Sequence, residues 1–199
     1  NVSSMRNILL LAVFGLFILA GCKQPAPVKT IANLKDGIKG ETTASARYAA
    51  FAQKAREEGY DTIAKLFDAA SKAESIHANN HTKVLEGLGE KMDDFKPEFE
   101  VKTTAENLQA AIDGESYEVT TMYAKFLEDA KAEKVEKATQ SFTWASDTEK
   151  KHLDFYQKAL DALKANKENA LPFAYAVCPV CGNTYDNANV DAKCAFCQT

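Results

Sequence analysis

The stretch Glu74-Ser75-Ile76-His77 lies inside a helical run from Asp61 to Leu88 and constrains this chain more than any other. Alternating steps of four and three along that run give Ile63, Phe67, Ala70, Glu74, His77, His81, Val84 and Leu88. This is one buried stripe of a bundle helix, apolar at both ends and polar in the middle. An isolated carboxylate in an apolar core costs on the order of tens of kcal/mol, so it must be neutralised, paired or bound to metal. A Glu and a His three residues apart share a helical face and can reach one ion. Glu149-Lys150-Lys151-His152 repeats the spacing in a later helix.

The other helices carry the same interruption. A first helix is expected from Ile31 to Glu58, with the stripe Ile31, Leu34, Ile38, Glu41, Ser45, Tyr48, Ala52 and Ala55. A third is expected from Thr103 to Ala132, with Leu108, Ala111, Glu115, Glu118 or Val119, Met122 and Phe126. A fourth, from Glu133 to Ala165, runs Val135, Ala138, Phe142, Ala145, Glu149, His152, Tyr156, Ala159 and Leu163. All four place acid, or acid plus His, in the middle of an apolar stripe. The connection from Glu90 to Lys102 exceeds the usual length of about two to eight residues between neighbouring bundle helices. It predicts a crossover joining parallel helices.

The two halves echo each other in Gly40-Glu41 and Gly114-Glu115, and in Tyr48-x-x-Phe51 and Tyr123-x-x-Phe126. The step from Glu41 to Tyr48 is seven residues, and that from Glu115 to Tyr123 is eight. One inserted residue predicts a π-bulge between Glu115 and Tyr123 that re-aims Glu118 inward. Tyr48 and Tyr123 are candidates for hydrogen-bonding the acids, with plain core packing as the alternative. His81 continues the His77 face and reads as a supporting or core residue. The net charge of −4 and the absence of a basic patch argue against nucleic acid.

Cys178-Pro-Val-Cys181-Gly182 and Cys194-Ala-Phe-Cys197 form two knuckles able to hold one ion in four thiolates. Two disulfides are the alternative. The fifth of five cysteines is Cys22. It ends Leu19-Ala20-Gly21-Cys22, after Arg6 and the apolar run Ile8 to Ala20, which resembles a bacterial lipobox. The run is short for a spanning helix, which needs about 20 residues. An uncleaved N-terminal anchor is the alternative.

Five carboxylates and two imidazoles, from Glu41, Glu74, His77, Glu115, Glu118, Glu149 and His152, suit two first-row divalent metals. A Glu from each of two helices plus Glu-x-x-His from each of two others is the pattern of ferritin-like di-iron proteins, for which it is a standing example. With that, the chain resembles the rubrerythrins. The matching stretches are Gly40-Glu41-x-x-Ala44 through Tyr48 and Phe51-Ala52, Glu74-x-x-His77-Ala78, Gly114-Glu115-x-x-Glu118 through Met122-Tyr123, Glu149-x-x-His152, and both knuckles.

The resemblance implies an all-α ferritin-like four-helix bundle over 31–166, followed by a rubredoxin-like module over 172–199. Residues 1–22 would be a lipoprotein signal ending at the lipidated Cys22, and 23–30 a tether. It implies a di-iron site with oxo and carboxylate bridges, held by Glu41, Glu74, Glu115, Glu149, His77 and His152. Glu118 matches the family's additional Glu, associated with an iron that exchanges Glu and His ligation. One iron, or alternatively zinc, would sit in Cys178, Cys181, Cys194 and Cys197.

The implied activity is an NAD(P)H-linked peroxidase. Hydrogen peroxide is reduced to water by electrons that a reductase or small redox protein feeds through the thiolate iron. Glu118, Tyr48 and Tyr123 would assist the chemistry. The competing reading is ferroxidase-type iron handling with a structural zinc. A homodimer is implied, with one subunit's thiolate module approaching the other's di-iron site. The leader predicts a bacterial lipoprotein on an extracytoplasmic membrane face, unlike familiar rubrerythrins, which lack an export signal. Ala195 and Gln198 depart from the Pro and small residue frequent in rubredoxins.

Overall fold

A computed structural model describes residues 25–187 and 189–199 of the chain. The expected leader and lipobox Cys22 lie outside the described residues. No described helix is long and apolar enough to cross a membrane.

Helix α1 spans Val28–Glu57, α2 Asp61–Gly87, α3 Thr104–Tyr117, α4 Tyr123–Ala132 and α5 Glu136–Lys164. A π-helical segment, Glu118–Met122, joins α3 to α4. The extra residue read from the Glu-to-Tyr spacing is therefore absorbed where it was expected. Helix α1 begins inside the segment expected to be a tether. Pro27 stands at its N-cap without a capping side chain. The carboxylate of Glu133, far along the chain, instead accepts the backbone N–H groups of Lys29 (3.1 Å) and Thr30 (2.7 Å). Charged acceptors on free N–H groups stabilise a helix start.

Gly59 (φ 87°) and Gly89 (φ 84°) terminate α1 and α2 in the left-handed region. Residues 90–103 then cross without helix or strand. Thr103 and Glu106 close a reciprocal capping box that starts α3.

Two apolar clusters fill the bundle. One gathers Tyr48, Phe51, Ile63, Phe67, Leu108, Ala111, Tyr156 and Leu160, with smaller residues between them. The other gathers Leu34, Ile38, Leu85, Tyr123, Phe126, Ala138 and Phe142. Fully burying each Phe or Leu contributes about 1.5–3 kcal/mol. Helix α1 runs from the second cluster to the first, and Glu41 lies at the crossing. Helix α2 runs the opposite way and crosses at Glu74 and His77. The α3–α4 pair runs like α2 and crosses at Glu115, while α5 runs like α1 and crosses at Glu149 and His152. The polar layer is thus sandwiched between apolar layers, and residues 90–103 connect parallel helices, as the long connection predicts.

Beyond α5, a turn with Asn166 in the left-handed region and a short 3-10 segment, Glu168–Ala170, lead to a small hairpin. Strand β1 (Tyr175–Val177) pairs antiparallel with β2 (Thr184–Asp186), matching Tyr175 to Asp186 and Val177 to Thr184. The first knuckle forms the turn between them. Leu171 and Tyr175 lean on the bundle core, and Tyr175 meets Phe155 edge-on at 5.5 Å.

Candidate metal centres

Glu41, Glu74, His77, Glu115, Glu149 and His152 are each at most 1% exposed. Ligand atoms of Glu41, Glu74, His77 and Glu149 lie within 4.8 Å of one another, and so do those of Glu74, Glu115, Glu149 and His152. The two groups share Glu74 and Glu149. His77 Nδ1 stands 2.9 Å from Glu74 Oε2 and 2.9 Å from Glu149 Oε1. His152 Nδ1 stands 3.2 Å from Glu74 Oε1 and 2.8 Å from Glu149 Oε2. Each shared carboxylate therefore turns one oxygen to each imidazole, which is the geometry of a bridge between two ions.

The donor atoms fit metal. Glu41 Oε2, Glu115 Oε2, both oxygens of Glu74 and of Glu149, and Nδ1 of both histidines are buried without a well-directed hydrogen bond. An unsatisfied buried polar atom costs about 1–3 kcal/mol, and more when charged. Two divalent cations would satisfy all eight atoms, one held by Glu41 and His77 and the other by Glu115 and His152, with Glu74 and Glu149 available to both. Carboxylate and imidazole donors suit first-row metals such as iron.

The titration behaviour reports the same demand for positive charge. Burial, reinforced by Glu149 and Glu74, pushes Glu41 up to about 7 against the opposing pull of His77. Burial and the neighbouring carboxylates Glu149 and Glu74 push Glu115 well up. Burial by itself would lower His77 and His152, but the surrounding Glu side chains hold both well above the ordinary imidazole range. Against the upward push of burial, those two imidazoliums keep Glu149 down at about 2.

The tyrosines reach across the bundle. Tyr48 donates to Glu115 Oε1 at 2.7 Å, and Tyr123 donates to Glu41 Oε1. Each half's tyrosine thus serves the other half's acid and leaves that acid one free oxygen. The backing differs. The Arg47 guanidinium lies 5.1 Å from the centre of the Tyr48 ring, with Nη2 3.4 Å from its hydroxyl. Behind Tyr123 stands His81, bonded on its other side to Ser141.

Glu118 begins the π segment. The residue is half-buried, and it stands outside the two tight groups of ligand atoms. Burial, then Glu41, Glu115, Glu149 and Glu74, push its carboxyl well above the usual range.

In the C-terminal module all four cysteines are free. Cys178 Sγ lies 3.6 Å from Cys197 Sγ, and Cys181 Sγ 3.4 Å from Cys194 Sγ. A disulfide needs about 2.05 Å. Bonds of about 2.3 Å to a central ion put tetrahedral sulfurs about 3.8 Å apart. The spacing matches one ion in four thiolates, so the disulfide alternative falls. Backbone N–H groups of Cys197 and Phe196 and the Tyr185 hydroxyl overcome burial and hold the Cys194 thiol down at about 5. Each knuckle closes with an N–H to its first cysteine, from Gly182 to Cys178 O (3.0 Å) and from Gln198 to Cys194 O (2.9 Å). Gly182 (φ 84°) and Gln198 (φ 60°) both take the left-handed conformation. Gln198 does so at a cost of about 1–2 kcal/mol that Gly182 avoids.

The module sits on its own chain's bundle. His152 Nε2 meets Thr184 Oγ1 at 2.8 Å, Asn80 donates to Val180 O at 2.9 Å, and Lys151 donates to Asn183 Oδ1 at 2.8 Å. A Cβ on Gly182 would fall 2.7 Å from His77 Cδ2, so only glycine fits there. This differs from the expectation that a partner subunit's module approaches the site. The short link after α5 is long enough to fold the module back within one chain.

A profile of the rubrerythrin family matches residues 32–160. The chain belongs to the rubrerythrin family. It is 35% identical over 165 residues to "Rubrerythrin-2" of Clostridium acetobutylicum, covering 82% of this chain and 89% of that one. It is 33% identical over 189 residues to "Nigerythrin" of Nitratidesulfovibrio vulgaris, covering 91% and 88%. A mixed-valence structure of nigerythrin superposes with a TM-score of 0.74 at 34% identity, over 84% of this chain and 81% of that one. A bacterioferritin from Desulfovibrio desulfuricans, at 20% identity and a TM-score of 0.66, shares the fold. The bundle is therefore a ferritin-like di-iron fold, and the four-cysteine cluster is consistent with a rubredoxin-like iron site.

In this chain, the sequence pattern singles out all seven bundle acids and imidazoles and all four cysteines. The structure brings six of the seven into the two shared groups and leaves Glu118 beside them. Arg47, Thr184 and the contact between Gly182 and His77 were missed. Nothing local marks them, because each acts on a residue far away in the chain.

Proposed function

We propose that this chain reduces hydrogen peroxide to water at the bundle site, with electrons arriving through the four-cysteine iron of the same chain. Membership of the rubrerythrin family makes it a di-iron oxidative-stress oxidoreductase; peroxide as oxidant and this electron route are our reading. One observation carries the route. Both imidazoles turn Nδ1 into the carboxylate cluster and Nε2 toward the knuckle loop Gly182 to Thr184.

Glu41, His77, Glu115, His152, Glu74 and Glu149 would hold two irons, which when bound would supply the two electrons that peroxide reduction requires. The residues do the rest. Glu74 and Glu149 hold the two positions at a fixed separation. Tyr48 and Tyr123 each occupy one oxygen of Glu115 and Glu41, so those acids bind through the other. Apolar layers on both sides exclude water. Glu118, whose carboxyl burial and four acids push well above the usual range, is the acid we assign to give a proton to a departing oxygen. The overall balance is peroxide plus two electrons and two protons to two waters. A flavin- or iron-based reductase drawing on NAD(P)H fits the one-electron entry site. We further propose export with lipid on Cys22, and a homodimer.

The test uses full-length chain, reduced and loaded with iron without oxygen. Three irons per chain and oxidation much faster with peroxide than with dioxygen are expected. Two irons plus one zinc, with dioxygen the better oxidant, would overturn the reading in favour of ferroxidase-type iron handling. Glu118→Ala should retain the irons and slow peroxide turnover. Cys22→Ser should move the protein from membrane to soluble fraction, and unchanged fractionation defeats the anchor.

A further inference from the structure

His81 is fully buried on α2, one turn beyond His77, and is neither a metal-site residue nor ordinary filling. Its Nε2 lies 3.0 Å from the Tyr123 hydroxyl and its Nδ1 2.7 Å from Ser141 Oγ. The ring meets Phe142 edge-on at 5.0 Å. On its other side is Gly37 of α1, where a Cβ would come within 3.1 Å of His81 Cδ2. The imidazole is pinned on every side, and glycine makes the room.

Counting hydrogens fixes the direction of the chain. Tyr123 has one hydroxyl hydrogen and gives it to Glu41. What it shares with His81 must then be a hydrogen of His81, so Nε2 carries the proton. A neutral imidazole has only one N–H, so Nδ1 accepts from the Ser141 hydroxyl. Burial, with the nearby His77 charge, pushes His81 down to about 3 against the opposing pull of Glu149. It therefore stays neutral under working conditions.

We propose that His81 is a positioning residue of the bundle site. Through the one-way chain from Ser141 to His81 to Tyr123 to Glu41, it locks the Tyr123 hydroxyl onto Glu41 Oε1 and reserves Oε2 for metal. A hydroxyl that receives a hydrogen bond donates a stronger one, so His81 also sets the basicity of Glu41. The inference rests on the bundle cluster holding metal, and not on the choice of oxidant.

The chain has three histidines, which makes the test direct. In full-length protein loaded with zinc, His77 and His152 are occupied, and nitrogen-15 NMR reads His81 alone. An Nε2–H tautomer that does not titrate between about pH 5 and about pH 9 is expected, where an ordinary imidazole would change charge. An Nδ1–H tautomer, or titration in that range, overturns the proposal. In iron-loaded protein, His81→Leu keeps the volume but loses the donor, and His81→Gln restores an N–H toward Tyr123. Both should bind wild-type iron. The absorption of the oxidised bundle site should shift in His81→Leu and return in His81→Gln. Oxidation by peroxide should slow about fivefold in His81→Leu, the worth of one ordinary hydrogen bond. An unshifted spectrum and wild-type rate in His81→Leu, or equal iron loss in both variants, would show mere packing. If peroxide fails to oxidise even the wild-type protein, the proposed function falls while the tautomer and the spectrum still judge His81.

Discussion

Glu41 and Glu115 stand in equivalent places in the two halves of the bundle site, and each gives one oxygen to a tyrosine from the opposite half. Behind the tyrosines the equivalence ends. Tyr48 leans on the half-buried Arg47 cation. Tyr123 leans on a neutral, enclosed His81 backed by Ser141. Glu118 adds a further acid, whose carboxyl is pushed up by burial and, among its neighbours, most by Glu41. One half is thus tuned by a charge, which salt screens in part, and the other by short neutral bonds, which it does not. A duplicated motif supplies two alike binding positions. Unequal surroundings are what allow two ions held by it to behave differently.

The largest effect should come from the residues that the halves share. Glu149→Ala removes an oxygen from both positions, so both bundle irons should be lost while the thiolate-iron spectrum persists. Metal counting checks this, and retention of one iron would show that the halves bind independently.

Next is Gly182→Ala. Its methyl group would collide with His77, on the Glu41 side only. Re-reduction of the bundle through the thiolate iron should slow about a hundredfold, the usual penalty for misplacing reacting groups by an ångström. Metal content should not change. A wild-type re-reduction rate would mean that the electrons do not use this contact.

An intermediate effect is expected on the metal-free protein as pH changes. Glu41 titrates near 7 in the fold and near 4.5 unfolded, so the folded state holds the extra proton between those values. Stability from Glu41 is full below about 4.5 and is lost as pH rises through about 7. His77 and His152, also raised, act in the same direction. Glu149 and His81 act oppositely: Glu149 loses its contribution as pH falls from about 4.5 toward about 2, and His81, lowered to about 3, loses its own as pH falls below about 6.5. Thermal melts should therefore show the metal-free protein weakening from about pH 6.5 to about pH 8, where only the raised groups titrate, and metal should abolish that trend. A melting point rising across this range would contradict it.

Smallest are the single hydroxyl and charge deletions. Tyr123→Phe and Tyr48→Phe should each cost about 1–3 kcal/mol in denaturant unfolding of the metal-free protein. Arg47→Gln should cost no more than about 1 kcal/mol, and less as salt is added. Equal salt dependence for Arg47→Gln and Tyr123→Phe would erase the contrast drawn above.

The metal-facing residues were legible in the sequence because a carboxylate in the middle of an apolar stripe is so costly that its presence signals a purpose. The π segment was legible for a related reason, since the unequal spacing from Glu41 to Tyr48 and from Glu115 to Tyr123 demands a change of helical phase. Other features depend on partners that only folding brings close. The Glu133 carboxylate starts α1 from a hundred residues away, so the expected tether was too long. The tyrosines cross between halves because each points over the site, which a stripe on one helix does not reveal. Which chain's thiolate module covers His77 is a property of the link after α5, where the helical pattern has already stopped.

Trp144 of α5 packs against the cluster formed by Cys181, Tyr185 and Cys194, and it is the chain's one tryptophan. The protein therefore carries an intrinsic optical gauge at the seam between its two parts. Its emission can follow the seating and release of the thiolate module in real time, with no label attached.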